Sequence, residues 1–445
     1  EGEATYSVPS FTADIKDNIC LYDASSMTSI ETQTIKIPAN IKSIYFLSKE
    51  ETKVTYLDIV AQSRSTPLKV CFKNFNYQFK TNGIYVDFWS DFTINVTGNC
   101  SIMPRTLDTK GEYGIYARNL TIEGTGKLSV AAGKRESSGV YALTNGYAGI
   151  NANNLTVFVK ELYVKGGTGG NAPNASGTKY SNELRGQDAN PGGRGGYAIW
   201  ISNNFKVMSS CKKITMEGGD GGNGGNGANG HLATADFATG GRGGNGGDGG
   251  LSGGAFHQNV SQSELYFSSS TTKVIMEGRR GRGGRGGNGG DGGRGGKGGN
   301  GGRGGDGRIG GNGGDGLDDT STSAKPSNGG DGGNGGHGGY SDYIGRYECP
   351  GNGGNGGNGG DPGGVGGGLN GGNGGYGYNG GKGGNGSSSH IIFATGGNGG
   401  NGGDGYSGLV GAGGSAGKGT WASDGSSGSN GKSYSNYQNY PEDFN

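Results

Sequence analysis

Apolar and polar residues alternate in short bursts along the first part of the chain. Thr34–Ile37, Ser43–Phe46 and Lys53–Leu57 set Ile, Val, Tyr, Phe and Leu against Thr, Lys and Ser, with the near-two-residue period of half-buried strands. No capped stripe of helical period accompanies them. From Gly83 the strands recur in units. Gly83–Val86 leads to Phe92–Val96, and Gly114–Ala117 leads to Leu120–Ile122 and Leu128–Val130. Gly149–Ala152 leads to Leu155–Val157 and Leu162–Val164, and Tyr197–Ile201 leads to Phe205–Val207 and Ile214–Met216. Gly254–Phe256 leads to Leu265–Phe267 and Val274–Met276. Each unit predicts three short strands, with Ile115, Ala117, Leu120, Ile122, Leu128 and Val130 as inward candidates. Such repeats read as the rungs of a β-solenoid; the alternative is an ordinary β-sandwich.

A second pattern interrupts the first. From Arg282 to Asp306 the chain reads x-Gly-Gly without exception. A period of three fits neither an α-helix nor a β-strand, but it fits the polyproline-II helix, which has three residues per turn and no internal hydrogen bonds. Two of its three faces are then bare glycine, so neighbouring backbones can approach and satisfy one another's N–H and C=O groups. A flexible linker would not keep phase in this way. The phase persists at Asn223, Asn226 and Asn229, at Asn245 and Asp248, at Asn352 to Asp361, at Asn370 to Asn385, and at Asn398 to Asp404. Aperiodic segments between the runs predict out-and-back hairpins. Three rungs end in Lys165-Gly, Glu217-Gly and Glu277-Gly, each opening into a glycine run. The rungs are therefore expected to set the register of the glycine strands.

On these residues the chain resembles the polyglycine-II bundle proteins, which include snow flea antifreeze protein and the glycine-rich phage tail-tip adhesins. Its rungs resemble right-handed parallel β-helices. The resemblance implies an all-β repeat fold: β-solenoid rungs with an interleaved polyglycine-II helix bundle and essentially no α-helix. The expected divisions are a β-rich region at 1–110, rungs with glycine hairpins at 111–278, a glycine bundle at 279–430 and a Tyr-rich tail at 431–445.

Composition sharpens this picture. Glycine supplies 110 of 445 residues and hydrophobic residues only 29%, too few for one conventional core along the whole chain. A net charge of +1 gives no general attraction to nucleic acid or membrane, and no apolar run approaches the length of a membrane span. Residue 1 is Glu and no signal-like segment is present, which leads to the expectation of a secreted, extracellular chain whose leader has been removed. The five cysteines lack metal-site spacing; Cys71 and Cys100 are the candidate disulfide partners.

Candidate chemistry is sparse. Arg282, Arg285, Arg294, Lys297 and Arg303 share one face of a period-three strand and could bind phosphate, sulfate or acidic glycans; the plainer and favoured reading is a solvated column paired with Asp on a neighbouring strand. Seven N-x-S/T sequons occur, at Asn95, Asn99, Asn119, Asn154, Asn174, Asn259 and Asn385. That number is what this composition gives by chance; Asn174, in a polar loop, is the favoured glycosylation candidate. Gly313–Asp318 matches a calcium-binding nonapeptide once, without its repeat. Asp87 and Asp91 are carboxylates without a partner base, and the four histidines are dispersed. No enzyme, metal or cofactor is expected.

Tyr434, Tyr437 and Tyr440 recur every three residues and would form one aromatic stripe suited to assembly. The expected function is structural: a subunit of an extracellular fibre, filament or coat, with other copies of itself, head-to-tail, as partner and surface glycans as further candidates. The alternatives are a receptor-binding adhesin that presents loops 231–239 and 317–327, and an ice-binding protein.

Overall fold

The computed structural model describes most of residues 19–277 and, beyond them, short segments between 312 and 432, chiefly 370–375, 381–386, 398–404, 410–416 and 423–432. Among the described residues there are strands and no helices. They are β1 (Ile19–Asp23), β2 (Gln33–Ile37), β3 (Ser43–Leu47), β4 (Val54–Ala61), β5 (Leu68–Lys73), β6 (Asn76–Phe79), β7 (Ile84–Thr97), β8 (Asn99–Pro104), β9 (Ile115–Glu123), β10 (Lys127–Ala131), β11 (Ile150–Val157), β12 (Glu161–Lys165), β13 (Ile199–Val207), β14 (Lys213–Glu217), β15 (Phe256–Gln258), β16 (Leu265–Phe267) and β17 (Lys273–Glu277).

Every pairing is parallel and joins a strand to its counterpart one rung away, which gives three stacked ladders. β2, the second half of β4 and the first halves of β7, β9, β11 and β13 continue into β15. β1, β3 and β5 continue through the second halves of the same long strands into β16. The start of β4 begins the third ladder, β6–β8–β10–β12–β14–β17. This is the expected solenoid. The same ladders join β7, before residue 110, to β9, after it.

Inward positions stack as columns. Ile84, Ile115, Ile150 and Ile199 form one, and Ile102, Val130, Val164 and Met216 another, all fully buried or within 1% of it. All six inward candidates read from the sequence are buried. Near the N-terminal end the core is aromatic, with Phe72 and Phe75 in ring contact with each other and with both Phe46 and Tyr77. The buried Tyr77 hydroxyl donates to the Gly83 carbonyl at 3.0 Å, satisfying a group that would otherwise be costly to bury. At one corner Gly124 takes a φ of 118°, which a residue with a side chain adopts only at a cost.

The glycine runs leave the rungs where β12 and β14 end and return to begin β13 and β15. Lys165 pairs with Glu217 in the ladder. Gly166 N–H then donates to Glu217 O, Gly169 to Asp220 O and Ala172 to Asn223 O, so the parallel offset of the rungs passes unbroken into the glycine strands. Returning strands pair likewise, Gly192 N–H with Asp248 O and Gly195 with Leu251 O, while outgoing and returning strands pair antiparallel, Gly193 with Gly170 O and Gly222 with Gly193 O. Three successive donors in one turn reach three different neighbours: Gly192 to Asp248 O, Gly193 to Gly170 O and Arg194 to the Asn145 side chain. An α-helix or flat sheet does not spread its donors this way; a bundle of three-fold helices does.

The segments between 370 and 432 repeat the scheme, with Gly371 on Asn398 O and Gly399 on Ser426 O in parallel, and Gly384 on Gly372 O antiparallel. The x position explains its own preference for Asn and Asp. Its side-chain oxygen accepts the backbone N–H of the matching x residue on the next parallel strand: Asn171 from Asn223, Asn174 from Asn226, Asn370 from Asn398, Asn373 from Asn401 and Asp404 from Lys432, at 2.6–2.9 Å. At the strand 426–432 the pattern changes. Ser427 and Asn430 stand where the preceding strand has Gly399 and Gly402, and Asn430 Oδ1 accepts the Gly413 N–H at 3.0 Å.

Candidate functional site

The most distinctive surface is the far end of the solenoid. β15, β16 and β17 pair back onto β13 and β14, and among the described residues no strand pairs their other edge. Leu265 is the register partner of Phe205, and Met276 of Met216. Phe205 and Met216 are fully buried, whereas Leu265 is 46% and Met276 45% exposed. The positions are the same ones in the repeat; among the described residues, no next rung covers them. Tyr266 beside them is also exposed, and Phe267 and Val274 are partly buried against the core. The opposite end differs, with Ile35, Ile37 and Ile41 already buried.

This end was not singled out from the sequence, yet a signal was available. Terminal repeats of solenoids usually turn polar where they meet water, and here Leu265 and Met276 keep the apolar character of the preceding rungs.

A polar ladder runs along the corner between two faces. Asn119 Nδ2 donates to Trp89 O at 2.8 Å, Asn154 Nδ2 to Asn119 Oδ1 at 2.8 Å and Asn204 Nδ2 to Asn154 Oδ1 at 3.1 Å, and Asn204 Oδ1 accepts the Glu264 N–H at 3.1 Å. It ends at the open rung and fixes how the corner of each rung sits on the next.

The sequons separate by the state of Nδ2, the atom that would carry a glycan. Asn95 donates it to Glu123 at 2.9 Å, and Asn119 and Asn154 use theirs in the ladder. Asn99 is exposed. Asn174 and Asn385 are exposed and bond through Oδ1, to the N–H of Asn226 and of Ser415. Asn259, the cations Arg282, Arg285, Arg294, Lys297 and Arg303, the tyrosines Tyr434, Tyr437 and Tyr440, and Gly313–Asp318 lie outside the described residues.

The Cys71–Cys100 pairing is corrected: both are buried free thiols. Cys71 stands on β5, beside Tyr45 and Asn95 in one ladder, and Cys100 on β8, beside Leu128 in another. Burial pushes the thiols of Cys100 and Cys211 up to about 11, so they stay protonated near neutrality. Asp87 is held by Arg118, whose Nε and Nη2 donate at 2.9 and 2.7 Å; Asp91 lies opposite Asn119. The geometry engages Asp87 with a cation and does not pair it with a second carboxylate. Among the described residues no cluster of three or more His, Cys, Asp or Glu is placed to hold a metal, and no helix is long and apolar enough to cross a membrane.

No family model matches the chain, and no curated protein matches it. Among solved structures, a springtail antifreeze protein from Granisotoma rainieri, a bundle of nine polyproline type II helices, is similar at 21% identity over 57% of this chain and 95% of that one. The TM-score is 0.09, too low to carry an argument about fold or function.

Proposed function

We propose that this chain is a non-enzymatic structural protein whose solenoids stack head-to-tail, as subunits of an extracellular fibre, filament or coat. The observation that carries the reading is the open rung, where Leu265 and Met276 are half-exposed at positions that are sealed one rung earlier. Fully burying such a side chain contributes about 1.5–3 kcal/mol, so sealing both half-exposed ones adds about 2 kcal/mol, before any strand-edge hydrogen bonds. Because every ladder is parallel, a head-to-tail contact continues the pairing already present, whereas a tail-to-tail contact would reverse it. A head-to-tail contact is heterologous and, in a straight stack, does not close. The secreted reading also assigns glycans to Asn99, Asn174 and Asn385, and none to Asn95, Asn119 and Asn154, whose Nδ2 groups are engaged.

The test is sedimentation velocity of the whole chain across a concentration series, with negative-stain microscopy of the same samples. The expected result is concentration-dependent growth into regular filaments, abolished by Met276→Glu combined with Leu265→Lys. A wild-type chain that stays monomeric and filament-free at micromolar concentration overturns the proposal. The adhesin alternative depends on segments 231–239 and 317–327, which lie outside the described residues.

A further inference from the structure

Four tyrosines form a connected set of ring contacts on the outer surface of the middle rungs, two to four rungs from the open end. Tyr85 on β7 and Tyr116 on β9 are register partners. Their ring centroids are 5.0 Å apart and the planes differ by 13°. Tyr113 lies 5.3 Å from Tyr116 and 4.8 Å, edge-on, from Tyr147. All four are half-buried. One rung further on, Asn151 takes the place opposite Tyr116 and its side chain hydrogen-bonds the Tyr113 hydroxyl, which ends the stacked pair. The Arg135 guanidinium covers the Tyr147 ring at 4.7 Å.

Aromatic stacking alone does not require hydroxyls. Where this fold packs rings for stability it uses mainly phenylalanine: Phe46, Phe72 and Phe75 touch one another in the core. Tyr77, in the same core, spends its hydroxyl on the Gly83 carbonyl, and Tyr163 donates to Glu217. The Tyr85–Tyr116 pair instead brings two accessible phenols together on adjacent rungs.

We propose that Tyr85 and Tyr116 are an oxidative coupling site, joined as dityrosine by a one-electron oxidant of the peroxidase class working with hydrogen peroxide. Each phenol loses its hydroxyl hydrogen, as one electron and one proton, to give a phenoxyl radical. The two radicals form a carbon–carbon bond between ring positions ortho to oxygen. The two displaced ring hydrogens move to the oxygens and restore both phenols. The pair gives up two electrons and two protons in total, and these reduce one hydrogen peroxide to two waters. Burial, reinforced by Asp87, holds the Tyr85 phenol above its ordinary value, so it is protonated near neutrality. Fixed proximity favours this partner over any encountered by diffusion. The product is a covalent staple across neighbouring rungs, independent of how copies assemble.

The whole chain, with its other tyrosines intact, is treated with peroxidase and limiting hydrogen peroxide, digested, and mapped by mass spectrometry. The expected result is a cross-linked peptide pair carrying Tyr85 and Tyr116, two hydrogens lighter than its parts, recovered from chains of monomer mass. Tyr116→Phe keeps the ring and the fold and should cut that species about ten-fold or more, with residual coupling moved to Tyr113 and Tyr147. Circular dichroism of the variant checks that the β structure is retained. Coupling spread evenly over the exposed tyrosines, coupling only between chains, or no coupling in the wild type would each overturn the proposal. An unchanged yield of cross-linked 85-containing peptide in Tyr116→Phe would do so as well.

Discussion

The solenoid and the glycine bundle use one stacking register and opposite kinds of core. Around Leu155 the interior is side chain: Leu120, Leu155 and Phe205 lie in one column, each at or within 2% of full burial. Around Gly222 the interior is backbone. A Cβ there would land on the Gly170 carbonyl oxygen, and the Gly222 N–H already donates to Gly193 O. The first region is specified by which apolar residue fills each inward place. The second is specified by what must be missing at two places in three, and by an amide or carboxylate at the third. The ladder joining Lys165 to Glu217 hands its register directly to the glycine strands, so the apolar core and the x-position side chains align them together.

The sharpest way to break this comparison is to damage each core in its own terms. Leu155→Ala removes a fully buried side chain between two rungs and should cost about 3 kcal/mol. The loss should appear as a lower denaturation midpoint shared by probes along the whole solenoid. Gly222→Ala adds one carbon where only backbone surrounds it, and a carbonyl cannot rotate aside as a flexible side chain can. The expected cost is about 2 kcal/mol, confined to residues 166–254 and read as faster amide exchange there, with the rungs protected. If Gly222→Ala left exchange in those strands unchanged, the close backbone packing would be wrong. A cost for Gly222→Ala that spread into the rungs would mean that the bundle supports the solenoid and does not merely follow it.

These two cores were not equally legible in the sequence. The inward column of Ile115, Ala117, Leu120, Ile122, Leu128 and Val130 could be read directly, because an alternating strand declares which side is buried. The exits at Lys165 and Glu217 were visible for a similar reason: the period changes from two to three at those residues. Partners across the chain were not visible. Asp87 meets Arg118, and Asn171 meets Asn223, through loops whose lengths set the pairing and whose composition does not reveal it. The Cys71–Cys100 expectation failed on the same point, since spacing alone cannot tell two faces of one rung from two ends of a bridge. The open rung at Leu265 and Met276 carried one readable sign, apolar residues kept where a last rung usually turns polar, but its local pattern is that of a covered rung and does not mark it as the last.

Asparagine does the same work in both regions, which permits the mildest and most discriminating test. Asn154 is half-buried at the solenoid corner, accepting from Asn204 at 3.1 Å and donating to Asn119 at 2.8 Å. Asn154→Ala leaves both neighbours without their partner in a site that water reaches poorly, and should cost about 1–2 kcal/mol. Asn401, on an exposed glycine strand, accepts from the Ser429 backbone N–H at 2.9 Å and from its hydroxyl at 3.1 Å. After Asn401→Ala both donors turn to solvent, and the expected cost is about 0.5 kcal/mol. Matched thermal melts of the two variants measure the difference. Equal losses would mean that the exposed columns hold the bundle as firmly as the ladder holds the solenoid, and that side chains, as well as backbone packing, carry the glycine strands. A loss at Asn154 alone would leave the exposed columns the lesser task of choosing which strand lies beside which.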